Sequence, residues 1–248
     1  MFAEFLNKDE FYRKYMNLFA SRFAIGNLEM ENPKMSASNS TRTIEMYNNM
    51  NAFMNLIEQN KDRITPTDIM DVADEVNRNI NFFSRGFRRT QVEVRKAENF
   101  TPPPACEVYE RMYALCDAYN NIWDMLPTYE REARFHMDLV RIQPFEDGNK
   151  RTARILTSFN LCKQNKAPIV IGMDENDEYF DYIDKYDIEG FTKFLEKKSK
   201  EELEVMLALY KSICGDSFEP DNMTSELGEQ DIHIYEFVRD RKKPYVKK

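Results

Sequence analysis

Several residue types that mark whole protein classes are scarce in this sequence. Seven glycines in 248 positions are too few for a turn-rich all-β chain. Four cysteines, Cys106, Cys116, Cys162 and Cys214, are scattered without C-x-x-C spacing. That pattern excludes a disulfide framework or zinc site and reads as reduced thiols. No apolar run approaches the roughly 20 residues that span a bilayer, so no membrane partner is expected. The first ten residues contain Glu4, Asp9 and Glu10 and lack the basic start and apolar middle of a secretion signal. The expectation is a soluble, cytoplasmic chain. Positive charge is in the minority, with 35 Lys and Arg against 43 Asp and Glu and a net −8, which argues against nucleic acid as a partner.

What is abundant is helical periodicity, in a chain 42% apolar and 13% aromatic that can bury one good core. Apolar residues from Phe2 to Phe19 mark a first helix, with Gly26-Asn27 as its expected stop. A second helix is expected from Thr41 to Ile57. Thr65-Pro66-Thr67-Asp68 is a helix entrance, with Thr65 as N-cap and Pro66 at the first helical position. That helix is expected to run to about Phe83. Gln91-Val92-Glu93-Val94-Arg95 alternates polar and apolar residues, the period of a short strand. After Pro102-Pro103-Pro104, helices are expected at Ala105–Tyr119, Glu130–Val140, Thr152–Lys163, Tyr179–Tyr186 and Glu189–Ile213. The expected organisation is an N-terminal helical region over 1–60, a core over 61–213 and a charged tail over 214–248.

The segment richest in chemistry is Arg141-Ile-Gln-Pro-Phe-Glu-Asp-Gly-Asn-Lys-Arg-Thr-Ala-Arg154, a loop that opens a helix. Asp147-Gly148-Asn149 is a tight-turn composition. The backbone N–H groups that follow are donors at a helix N-terminus, which attracts anions. Lys150, Arg151 and Arg154 add cations, and Asp147 is a hard oxygen ligand suited to Mg²⁺ between phosphates. These residues describe a polyphosphate cradle; a plain basic first turn on a surface helix would look the same.

The segment resembles the Fic family motif, H-P-F-x-(D/E)-G-N-(G or K)-R-x-x-R, at every specified position except the first, where Gln143 stands. The helix His136–Ile142 resembles the one that leads into the motif. Arg88–Val94 with Phe100–Pro104 resembles the family's flap and its Pro-rich exit. The resemblance implies a bacterial, mainly α helical bundle with a small β-hairpin flap that uses ATP and Mg²⁺ to move AMP onto a protein hydroxyl. It assigns the reacting positions to Gln143, Asp147 and Arg151. Gly148 and Asn149 would form an anion hole, Asp147 would hold Mg²⁺, and Lys150, Arg151 and Arg154 would line the nucleotide. Phe145 would be a buried anchor. Val92, Glu93 and Val94 would pair with an extended target segment, though an edge hairpin covering the core fits the same pattern. The partner is a protein presenting a hydroxyl, including the chain itself.

The sequence departs from the family twice. The motif histidine takes the hydroxyl proton, and a glutamine amide has no accessible titration with which to do so. His136 does not replace it and is expected to pack in the core. The family's inhibitory helix, S/T-x-x-x-E-G/N, carries a glutamate that pairs with the second motif arginine. Its counterpart falls at Ala20, Ser21, Ala24, Ile25 and Gly26, with Ala24 or Ile25 where the carboxylate belongs. Thr41-x-x-x-Glu45 matches more loosely, with Met46 after the glutamate. Lys150, where most AMP-transferring members have glycine, resembles the Doc toxins and brings phosphate transfer in as an alternative. A nucleotide-binding pseudoenzyme is the non-catalytic reading.

Overall fold

The computed structural model describes residues 2–31, 39–59, 61–80, 85–94 and 97–214. Eight α-helices follow one another among these described residues: α1 Phe2–Glu31, α2 Asn39–Gln59, α3 Pro66–Val76, α4 Val108–Asp117, α5 Thr128–Ile142, α6 Asn149–Lys163, α7 Asn176–Lys185 and α8 Ile188–Cys214. No strand is present among the described residues, and the predicted tail lies, from residue 215 on, outside them. No described helix is long and apolar enough to cross a membrane.

Helix α6 is the axis of the molecule. It packs on α5, α2 and α3, while α5 also carries α8 and α1 bridges α2 and α8. Every residue from Arg151 to Cys162 is buried. A helix covered on all sides needs small or satisfied polar residues as well as apolar ones. Hence Ser158 exchanges hydrogen bonds with the main chain of Ile169, and Asn160 donates to Glu132 (2.9 Å).

The entrance to α3 forms as its sequence requires. The Thr65 hydroxyl accepts from the Asp68 amide (3.3 Å), and the Asp68 carboxylate accepts from the Thr65 amide (2.8 Å), a reciprocal cap. The helix stops at Val76, short of the expected Phe83. Asn48 of α2 donates to the carbonyls of Val76 (3.3 Å) and Arg78 (2.7 Å), and Asn79 turns left-handed at φ 60°. Side chains that satisfy terminal carbonyls end a helix where apolar period alone would prolong it.

Gly26 differs in the opposite sense, since α1 runs through it to Glu31. A Cβ at Gly26 would stand 2.4 Å from the Ile171 carbonyl oxygen, so the missing side chain serves close approach rather than termination. The Phe11, Tyr15, Phe19 and Phe23 rings form a ladder along α1, with successive centroids 5.9, 6.0 and 5.3 Å apart. Glu202 of α8 accepts from Tyr15 (3.1 Å) and Arg22 (2.7 Å) and fixes the outer half of α1.

His136 lies fully buried between Thr157 (2.9 Å) and the Tyr179 hydroxyl (2.8 Å), in the core role expected of it. Burial, reinforced by the charge of Arg154, lowers its imidazole to about 3. The imidazole stays neutral in the folded protein while an unfolded one protonates near 6.5. Its stabilising contribution is therefore complete above pH 6.5 and lost as pH falls toward 3. Glu132, pushed up to about 7 by burial, acts in the reverse sense: its contribution is complete below 4.5 and lost as pH rises to 7. We expect His136→Gln to melt progressively higher, relative to the parent protein, as pH falls below 6.5. The difference should approach roughly 1.4 kcal/mol per pH unit, read from melts between pH 7.5 and 4.5. A pH-independent difference would show that the buried ring is charged.

Candidate active site

Helix α5 ends on Gln143, a non-glycine residue in left-handed conformation (φ 49°, ψ 60°). That conformation costs about 1–2 kcal/mol and is held by the surrounding hydrogen bonds. The Gln143 side chain folds back on its own loop. Its Nε2 donates to the Val140 carbonyl (2.7 Å), and its Oε1 accepts from Asn149 Nδ2 (2.9 Å).

Asn149, the first residue of α6, closes the loop. Its Oδ1 accepts from the Phe145 amide (2.9 Å), and its Nδ2 donates to the Phe145 carbonyl (2.9 Å). The amide side chain thus copies a peptide group, and the loop is pinned to the helix it precedes. Phe145 is buried, as an anchor should be, with its ring 5.9 Å from Phe87. Gly148 is required for two reasons. Its φ of 82° disfavours any side chain, and a Cβ would meet Asn77 Nδ2 at 2.9 Å. This turn leads into the start of α6, where first-turn N–H groups have no acceptor within the helix. The Asp147 carboxylate accepts from the Gly148 amide (2.6 Å), and the Asp147 carbonyl accepts from Asn77 (3.1 Å).

Both motif arginines are buried, and the N-terminal helices cover them. Arg151 reaches Asp147 (3.2 Å), Asn77 (3.4 Å) and Glu45 of α2 (3.5 Å). Arg154, 1% exposed, donates through Nε to Asn27 of α1 and lies 5.6 Å from the centre of the Tyr179 ring. Lys150 is half-buried at the same helix start. Asn27, Glu45 and Asn77 come to the Gln143–Arg154 loop from other elements, and of the three only Asn77 had no place in the sequence reading. The Gly-Asn pair, read as a helix stop, is what delivers Asn27.

Of the residues assigned to the inhibitory-helix region, Ala20, Ala24 and Gly26 are buried. Ser21 is exposed and donates to the Asn17 carbonyl (2.8 Å), and Ile25 is 45% exposed. Ala24 lies three residues before Asn27 and shares its face of α1. Glu45, from the looser Thr41-x-x-x-Glu45 match, meets the first motif arginine.

The expected hairpin is not formed among the described residues: Gln91–Val94 has no ladder partner. The alternation is nevertheless visible, with Gln91 and Glu93 exposed and Val92 and Val94 half-buried. The segment is tied down by Arg88 instead. This buried guanidinium donates to the carbonyls of Gln143 (2.6 Å), Thr90 (2.8 Å) and Pro103 (2.5 Å), and the Arg88 amide donates to Pro144 (2.8 Å). At its far end, Asp184 of α7 accepts from the amides of Glu98 (2.9 Å) and Asn99 (3.0 Å). Arg88 was legible only as part of the flap motif, since nothing in its sequence neighbours shows it to be buried.

Residues 63–161 match the Fic/DOC family. Protein adenylyltransferase fic-1 of Caenorhabditis briggsae is 28% identical over 178 residues, 69% of this chain and 34% of that one. Protein adenylyltransferase Fic of Nematostella vectensis is 29% identical over 155 residues, 60% of this chain and 36% of that one. The chain thus spans about a third of the length of these curated relatives. A crystal structure of a Fic domain-containing signaling protein from Bacteroides thetaiotaomicron superposes with a TM-score of 0.71 at 20% identity, over 85% of this chain and 93% of that one. The similarity to the Fic/DOC family thus lies in residues 63–161, and the mainly helical fold of the chain is the one found in that structure.

The Arg88 clamp predicts a large loss on substitution. Arg88→Ala leaves buried carbonyls without a donor and should remove about 3 kcal/mol or more of stability. Arg88→Lys keeps the charge but cannot span the same acceptors, so it should recover less than half. Urea denaturation of the three proteins measures both, and a loss below about 1 kcal/mol for Arg88→Ala would show that the clamp is not a structural tie.

Proposed function

We propose that the chain binds ATP at the Gln143–Arg154 loop and transfers its AMP group to a hydroxyl of a protein substrate, at a rate lowered by Gln143. The observation that carries this reading is the start of α6, built around a left-handed Gly148 and closed by Asn149, with Arg151 and Arg154 behind it. The names of the curated relatives support the same reaction.

In this reading the first-turn N–H groups of α6 hold the phosphate that is attacked, and Arg151 and Arg154 take the outer phosphates. Those arginines must first leave Asn27 and Glu45, so α1 and α2 oppose nucleotide entry in the arrangement seen. Asp147 fits a magnesium ion: it is a hard oxygen donor, 41% exposed, oriented by the Gly148 amide. The ion, when bound, offsets phosphate charge. The hydroxyl oxygen attacks the α-phosphorus, the bond to pyrophosphate breaks, and AMP becomes esterified to the substrate. Gln143 can hydrogen-bond the hydroxyl but cannot accept its proton, which must pass to solvent or to a phosphate oxygen. The alternating Val92–Val94 segment would receive the target by strand addition, with the chain's own segments competing for it.

Gln143→His should raise AMP transfer by about 10²–10⁴-fold, because every other motif position is in place. Intact-mass measurement after incubation with Mg-ATP separates the reactions. A gain of one AMP supports this reading, a gain of one phosphate assigns the Doc-like reaction suggested by Lys150, and no change in either protein leaves a nucleotide-binding pseudoenzyme.

Arg154 generates a second expectation. Asn27→Asp is isosteric and converts a neutral contact into a charge-assisted pair, which should weaken ATP binding about tenfold by calorimetry. Unchanged affinity would mean that Arg154 does not meet the nucleotide.

A further inference from the structure

Asn77 stands directly after α3 and meets the Gln143–Arg154 loop in three ways. Its Nδ2 donates to the Asp147 carbonyl (3.1 Å), and its Oδ1 accepts from Arg151 Nη2 (3.4 Å). The third is steric. The side chain that Gly148 lacks leaves the space that the Asn77 amide fills, since a Cβ there would stand 2.9 Å from Nδ2. The partners fix which end of the amide points where, because a carbonyl needs a donor and a guanidinium an acceptor. Neither a hydrocarbon nor a carboxylate side chain serves both.

The backbone at this position does not call for asparagine. Asn77 lies at φ −97°, outside the left-handed region, and its own N–H donates to the Ala73 carbonyl (3.1 Å). Asn48 holds the Val76 and Arg78 carbonyls on either side of it, so the side chain projects from a fixed base. Arg151 has fewer ties. Its side chain is buried and its Nε has no acceptor, so Nη1 and Nη2 carry the orientation of the group. Two of their three described partners are carboxylates, Asp147 (3.2 Å) and Glu45 (3.5 Å). In the reading given above, Glu45 gives way to phosphate and Asp147 serves magnesium. Asn77 is then the one of the three acceptors that neither ion claims.

We propose that Asn77 is a positioning residue for nucleotide binding: it keeps the Arg151 guanidinium in place for phosphate and holds the Asp147–Gly148 turn with the same amide. The proposal rests on the reading of an ATP site given above and adds to it a residue outside the Gln143–Arg154 segment. Asn77→Leu keeps the approximate shape and removes both hydrogen bonds. Mg-ATP is titrated into the full chain and followed through the amide NMR shifts of Gly148, Asn149 and Lys150. The proteins compared are the parent, Asn77→Leu, Arg151→Ala and the double variant. Asn77→Leu should weaken ATP binding about tenfold in the parent background. With Arg151→Ala the loss should fall below about threefold, since an absent guanidinium cannot be misplaced. The Arg151 Nε–H resonance should also move in Asn77→Leu before any nucleotide is added. Asn77 is only half-buried, so Asn77→Ala supports the same comparison if the leucine variant does not fold.

Unchanged ATP affinity in a folded Asn77 variant would overturn the proposal. An equal loss in both backgrounds would overturn it too, and would leave Asn77 as a part of the scaffold alone. If ATP moves none of these amides in the parent protein, the nucleotide reading itself falls and takes this role with it. That outcome is distinct from the other two, in which the parent binds ATP and only the part played by Asn77 is removed.

Discussion

A guanidinium is buried in the core of this molecule with 1% of its surface exposed. Much of the surrounding architecture follows from burying Arg154. Its Nε needs an acceptor deep inside, and α1 brings Asn27 to it. To come that close, α1 must pass the Ile171 carbonyl without a side chain in the way, which is why Gly26 lies mid-helix. The approach is held further along by the aromatic ladder from Phe11 to Phe23 and by Glu202 on Tyr15 and Arg22. The same cation adds to the burial that keeps His136 neutral between Thr157 and Tyr179.

Much of this was legible wherever a local rule decides the outcome. Thr65-Pro66-Thr67-Asp68 carries a cap whose partners lie three residues apart, and it forms as written. The loop from Gln143 to Arg154 could be read because its turn, helix start and cations are consecutive. The misreadings share a cause: each depends on contacts remote in sequence. The end of α3 is set by Asn48, far back on α2. Among the described residues, Arg88–Val94 is held by the Gln143, Pro144 and Pro103 carbonyls and by no partner strand. Glycine in a helical stretch has two meanings, termination and close approach, and only the position of Ile171 distinguishes them for Gly26.

The residue at 143 is more than a missing base. Its amide oxygen accepts from Asn149, the side chain that already binds both ends of Phe145. The side chain at the first motif position is therefore part of the hydrogen-bonded scaffold of the loop. Glu45 of α2 and Asn27 of α1 each reach one of two successive motif arginines, Arg151 and Arg154.

The acceptors of Arg88 are all main-chain oxygens. A tie of that kind reads the path of the chain and is blind to which side chains the chain bears. Thr90, Pro103 and Ile142 can change identity over evolutionary time without loosening the clamp, provided the backbone keeps its course. The Arg88–Val94 segment can thus drift in composition while its distance from the Gln143–Arg154 loop stays constant. Selection at this seam acts on one arginine and leaves its neighbours free to diversify.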